Sequence, residues 1–117
     1  MSDVIIYHNP RCSKSRQTLA LLEENGVQPE IVHYLEDVPS AADIREILDK
    51  LGISARDLLR SGEADYKENN LKDPALGDDT IIDFMVRFPK LIQRPIVVKG
   101  DRAALGRPPE NVLALLD

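Results

Sequence analysis

Apolar and polar positions fall in short blocks along this chain, and the spacing within each block separates strands from helices. Val4, Ile5, Ile6 and Tyr7 form a brief β-rich run behind a charged start, which predicts a strand over 4–7. Asn9-Pro10 marks a turn after it. From about Cys12 to Asn25 the pattern turns helical, with Leu19 and Leu22 on one face and Asn25-Gly26 as the stop. Beyond Pro29 a second strand is expected over 31–34. A strand–helix–strand unit of about thirty residues has the size of a right-handed parallel crossover.

The middle of the chain reads as helical. Ser40-Ala41-Ala42-Asp43 has the spacing of a capping box, with Asp in place of the usual Glu. Behind it Ile44, Ile47, Leu48 and Leu51 recur at i, i+3, i+4 and i+7, and Gly52 closes the helix. Ser54 to Asp57 repeats the cap and predicts a short helix toward Arg60. The polar stretch 61–77 reads as loop with at most a helical turn. Asp78 and Asp79 open another helix carrying Ile81, Ile82, Met85 and Phe88, which Pro89 breaks. Pro95 to Val98 is a third strand. Ala103 to Leu105 is a fourth after a Gly100-Asp101 turn, and Pro108-Pro109-Glu110 opens a final helix ending at Leu116.

This order, β-α-β, helices, β-β-α, describes one α/β domain over 1–117 with a helical insertion at about 40–88. It is the order of thioredoxin-like folds, with a four-stranded mixed sheet. No internal repeat interrupts it. The chain's 117 residues suffice for a real core without disulfides or metal. The net charge of −5 disfavours nucleic acid and anionic membranes as partners, and no apolar run approaches a membrane span. With one cysteine and no basic, apolar leader, the expectation is a soluble cytoplasmic protein.

That cysteine is either an inert core residue or a reactive thiol, and its neighbours favour the second. In His8-Asn9-Pro10-Arg11-Cys12-Ser13-Lys14-Ser15-Arg16 it stands between the first strand and the first helix. Free backbone N–H groups and the positive end of the helix dipole favour a thiolate there, as do Arg11, Lys14 and Arg16. Ser15 completes a Cys-x-x-Ser arrangement, from which its hydroxyl can reach back to the sulfur. His8 could accept a proton or add positive charge. Arg60, Arg94 and Arg107 each border a helix end, Pro or Gly, where guanidinium forks can converge on an oxyanion or simply lie in solvent. Arg56, Arg87 and Arg102 read as solvated surface charge, and the turn position of Arg94-Pro95 suggests a cis peptide.

With these residues in view, the chain resembles the glutaredoxin-linked arsenate reductase family over essentially its whole length. The resemblance rests on His8-Asn9-Pro10-x-Cys12-x-x-Ser15-Arg16, Leu58-Leu59-Arg60, Ile92-x-Arg94-Pro95-Ile96-Val97-Val98 and Leu105-x-Arg107-Pro108. It implies a thioredoxin-like sheet with a large helical insertion, Cys12 as nucleophile tuned by His8 and Ser15, and Arg60, Arg94 and Arg107 around the oxyanion. It also implies arsenate as substrate, glutathione as co-substrate, glutaredoxin as partner, and no bound cofactor or metal. The lone cysteine agrees, because a chain without a resolving thiol must borrow one. The best-known members carry Gly-Thr where this chain has Ser13-Lys14. Two other readings compete: a glutathione-dependent thiol transferase, and a non-enzymatic regulator like the Spx group. The arginine set argues against both.

Overall fold

The structure is a computed structural model that describes residues 3–116. Its contacts divide the chain into two units, Met1–Asp37 with Arg94–Asp117, and Val38–Gln93.

The first unit is built on a four-stranded mixed sheet: β1 (Val4–Tyr7), β2 (Glu30–Val32), β3 (Ile96–Lys99) and β4 (Arg102–Leu105), in the order β2-β1-β3-β4. β1 runs parallel to β2 and antiparallel to β3, and β3 pairs antiparallel with β4. The parallel pair is joined through helix α1 (Ser13–Glu24), as the crossover spacing requires. Val4 and Ile6, alternate residues of β1, share a core with Leu22 of α1 and with Val97, Val112 and Leu115. Truncating Leu22 to Ala would cost about 2–5 kcal/mol, the usual range for a filled core site. α1 ends in a Schellman motif: Gly26 takes φ +79°, its N–H donates to Glu23 O at 3.0 Å, and the Val27 N–H donates to Leu22 O at 2.9 Å. The second strand covers Glu30–Val32 rather than 31–34, because the chain turns at His33 and buries Tyr34 in that turn. The final segment, Pro109–Leu116, winds as a 3₁₀ helix packed against α1.

The second unit holds helices α2 (Ala41–Leu51), α3 (Ala64–Glu68) and α4 (Asp78–Arg87). The capping box of α2 is complete: Asp43 N–H donates to Ser40 Oγ and Ser40 N–H to the Asp43 carboxylate, both at 3.1 Å. Ile44, Ile47 and Leu48 are buried as their spacing predicts, and so are Ile81, Ile82 and Met85 of α4. The helix expected before Arg60 shrinks to a 3₁₀ turn, Arg56–Leu58, because the chain then extends into a bridge between Leu59 and Ile92. Arg56 is not the solvated surface charge its sequence setting predicts. It is half-buried, and its guanidinium donates to Leu71 O and Asp73 O at 2.8 Å each, tying down the polar stretch. Among the described residues no helix is long and apolar enough to cross a membrane.

Candidate active site

The site begins where β1 ends. His8 N–H still donates to Val32 O at 2.9 Å, so the sheet delivers the imidazole at a fixed height. Asn9 then turns the chain, its side-chain oxygen accepting the Arg11 N–H at 3.0 Å and its carbonyl accepting the Cys12 N–H at 3.0 Å. The Arg16 guanidinium donates back to Pro10 O at 2.9 Å and closes the loop over the first helical turn.

Cys12 is the N-cap of α1, with φ −93° and ψ 123°. Its carbonyl accepts the first intrahelical bond, from Arg16 N–H at 3.0 Å, while its side chain makes no capping bond. The N–H groups of the first turn therefore keep no helical acceptor. The residue is 9% exposed and so lies recessed at the start of the helix. Among the described residues no carboxylate pairs with Arg11, Lys14 or Arg16, and the first turn of α1 carries no acid. The local charge is thus positive within an acidic chain.

Ser15 is fully buried, and its hydroxyl is committed differently from the reach toward sulfur expected of Cys-x-x-Ser. Its Oγ accepts the Asn9 N–H at 3.0 Å and lies 2.6 Å from His8 Nδ1. Either group can donate in that contact; with a neutral imidazole that carries its hydrogen on Nε2, the Ser15 hydroxyl donates to His8 Nδ1 while its oxygen accepts the Asn9 N–H. The setting supplies that neutrality: burial first, then His33 and Arg16, hold His8 below its ordinary pKa of 6.5.

Two of the three singled-out arginines meet in the unit that carries Cys12. Arg94 and Arg107 flank Pro95 and Gly106, which are joined by Gly106 N–H donating to Pro95 O at 3.0 Å. Arg107 Nη1 donates to Arg94 O at 3.2 Å. The buried Thr18 of α1 donates to Lys14 O at 2.8 Å and reaches Gly106 O at 3.4 Å, seating this corner against the helix that Cys12 opens. Gly106 has no room for a side chain, since a Cβ would lie 2.7 Å from Pro95 Cγ. Arg94-Pro95 is cis as its turn position suggests, and Arg107-Pro108 is cis as well. Arg94 is half-buried, and its Nε is buried without a hydrogen-bond partner. A guanidinium N–H left so is costly unless something accepts it. Arg60 belongs to the second unit, where its backbone N–H donates to Leu91 O at 2.8 Å and its guanidinium pairs with Glu63 at 2.5 Å.

Among the described residues no three His, Cys, Asp or Glu side chains are grouped to hold a metal ion. A hollow of about 570 Å³ borders Val4, Lys99 and Leu116, at the opposite end of β1 from His8, and takes no part in this constellation. Sequence reasoning missed Thr18 and His33, and read Asn9 as a turn residue without its bonds to Arg11, Cys12 and Ser15. The signal for His33 was present, since it follows β2 at the offset at which His8 follows β1.

Residues 7–115 match the model of the ArsC family. A protein of Escherichia coli K12 called uncharacterized protein YfgD is 56% identical over 97% of this chain and 96% of its own. The arsenate reductase of Haemophilus influenzae is 47% identical over 97% of this chain and 98% of its own. A solved structure described as arsenate reductase from Vibrio cholerae superposes with a TM-score of 0.93 at 50% identity, covering 95% of each chain.

Proposed function

The chain belongs to the ArsC family, and from that premise we propose that it reduces arsenate to arsenite through Cys12, with glutathione as second thiol and glutaredoxin as the partner that restores it. The observation that carries this reading is the buried, unpartnered Nε of Arg94 in the unit whose helix α1 opens on Cys12. A thiol transferase needs the cysteine and has no use for such a donor. Relatives named arsenate reductase at 44% and 47% identity support the same substrate.

In this reading arsenate approaches the positive start of α1, and the guanidinium groups of Arg94 and Arg107 hold its oxygens. On the resemblance alone, Arg60 supplies a third fork. The Cys12 sulfur forms a bond to arsenic, and one arsenate oxygen leaves as water after taking protons from the medium. A glutathione thiol then forms a disulfide with Cys12. The sulfur–arsenic bond breaks with its electron pair on arsenic, which passes from +5 to +3 and departs as arsenite. The two sulfurs supply the two electrons. A thiol of glutaredoxin reduces the Cys12–glutathione disulfide, because this chain has no second cysteine to do so. The guanidinium groups offset repulsion between thiolate and anion, and stabilise charge developing on oxygen. His8 and Ser15 hold the loop's hydrogen bonds in one form while this happens. The reaction belongs in the cytoplasm, where thiols stay reduced.

The test is NADPH consumption coupled through glutathione reductase, glutathione and glutaredoxin, with and without arsenate. Arsenate-dependent turnover that needs glutaredoxin is the expected result. Equal NADPH consumption without arsenate, or turnover at a comparable rate with thioredoxin alone, contradicts the reading. Arsenate turnover within about twofold of the parent in folded Arg60→Ala, Arg94→Ala and Arg107→Ala would remove the shared anion role, as that is a change of only ~0.4 kcal/mol.

A further inference from the structure

Two imidazoles stand side by side at the end of the sheet that leads into Cys12. The last paired residues of the parallel strands β1 and β2 are Tyr7 and Val32, and His8 and His33 each follow by one position. Parallel strands in register turn equivalent side chains to the same face. The rings accordingly meet, with centroids 6.0 Å apart and planes inclined at 61°. Their surroundings differ. His8 is buried and bonded through Nδ1 to Ser15, whereas His33 is exposed. They are the two histidines of the chain.

A proton on His8 is disfavoured first by burial and then by repulsion from the His33 ring beside it. The other groups facing His8 do not relieve the repulsion. From α1 come Arg16, which also opposes a proton on His8, and Cys12 at the helix start. On the β3 side Pro95 stands one position beyond the Tyr7–Ile96 pair, with Arg94 before it. Among the described residues no carboxylate forms an ion pair with either ring.

We propose that His33 is a positioning residue for the Cys12 chemistry: its ring, set edge-on against His8, favours the neutral His8 imidazole whose Nδ1 can accept the Ser15 hydroxyl. Were His8 to be protonated, Nδ1 would become a donor toward an oxygen that already accepts the Asn9 N–H, and the Ser15 hydrogen would have to turn elsewhere. His33 thus widens the acid side of the working range without touching substrate. The inference rests on the reading of Cys12 as the reacting thiol, and its first test is independent of that reading.

The experiment follows the ring C–H resonances of the two histidines by NMR across pH, in the parent, His33→Gln and His33→Lys. It sets beside them the acid limb of kcat/KM for arsenate. His33 is exposed, so both variants should fold. In His33→Gln the His8 midpoint moves to higher pH and the acid limb moves with it. In His33→Lys, whose charge is permanent, both stay at or below the parent position. A His8 midpoint unmoved in His33→Gln overturns the proposal whatever the enzyme does. A moved midpoint with an unmoved acid limb overturns the role in turnover. Absence of arsenate turnover in the parent would sink the proposed function instead, and the ring titration would still decide whether His33 acts on His8.

Discussion

Helices α1 and α2 are nearly equal in length, at 12 and 11 residues, and they begin in opposite ways. α2 opens on Ser40, which caps the Asp43 N–H, while Asp43 returns the bond and sets a negative charge in the first turn. Its free donors and its dipole are both answered within the chain. α1 opens on Cys12, whose side chain caps nothing, with no acid in the first turn and with Lys14 and Arg16 beside it. Its donors and its dipole are left for something outside the chain. A terminus closed by its own carboxylate serves stability. One left open and basic, with a thiol on the cap position, is suited to meet an anion. The difference can be broken or sharpened residue by residue.

The largest expected effect is at the open end. Cys12→Ser should lower arsenate turnover by roughly 1,000-fold or more, since removing a nucleophile disables the whole unit that acts with it. Serine is also a favoured N-cap, so the same variant should be no less stable than the parent in urea. Loss of activity together with loss of folding would undo the contrast between the two ends. Next comes Arg94→Ala, for which kcat/KM should fall roughly 100–1,000-fold, the usual loss for one donor set on a developing oxyanion. Arg94→Lys should also be impaired, because an ammonium keeps the charge without the planar fork. Equal activity of Arg94→Lys and parent would reduce the site to a simple charge.

At the closed end the expectation reverses. Ser40→Ala should cost about 1 kcal/mol in denaturant unfolding and leave kcat/KM within about twofold. The smallest effect concerns His8. Its pKa in the folded protein lies below the ordinary 6.5, so between the two values the unfolded chain binds more protons. The stability this supplies is present above about pH 6.5 and is lost as pH falls through the folded value. The melting temperature should therefore drop more on acidification in the parent than in His8→Gln, and parallel curves would count against a buried neutral imidazole.

Much of this was legible in the residues, and the failures have physical causes. The cap of α2 could be read because its partners lie three positions apart, and β1 because alternate apolar residues serve one face. The position of Cys12 followed from a strand, a turn and a helical period in sequence. What could not be read is contact made at long range. The bond from Arg107 to the Arg94 carbonyl spans 13 positions, and the seating of Gly106 on Thr18 spans 88. Arg56 looked like surface charge because the carbonyls it holds, at Leu71 and Asp73, lie well beyond local reach. Ser15 looked ready to meet sulfur from its spacing, yet the end of β1 supplied His8 and Asn9 as its hydrogen-bond partners.

The most direct measurement of the central claim, that the open start of α1 lets Cys12 attack an oxyanion, is the intact mass of the protein. It would be taken after incubation with glutathione, with and without arsenate, and with glutaredoxin left out. One glutathione per chain is expected, on Cys12, formed only when arsenate is present and absent from Cys12→Ser. Unmodified protein under all conditions, or the same adduct formed equally without arsenate, would contradict it.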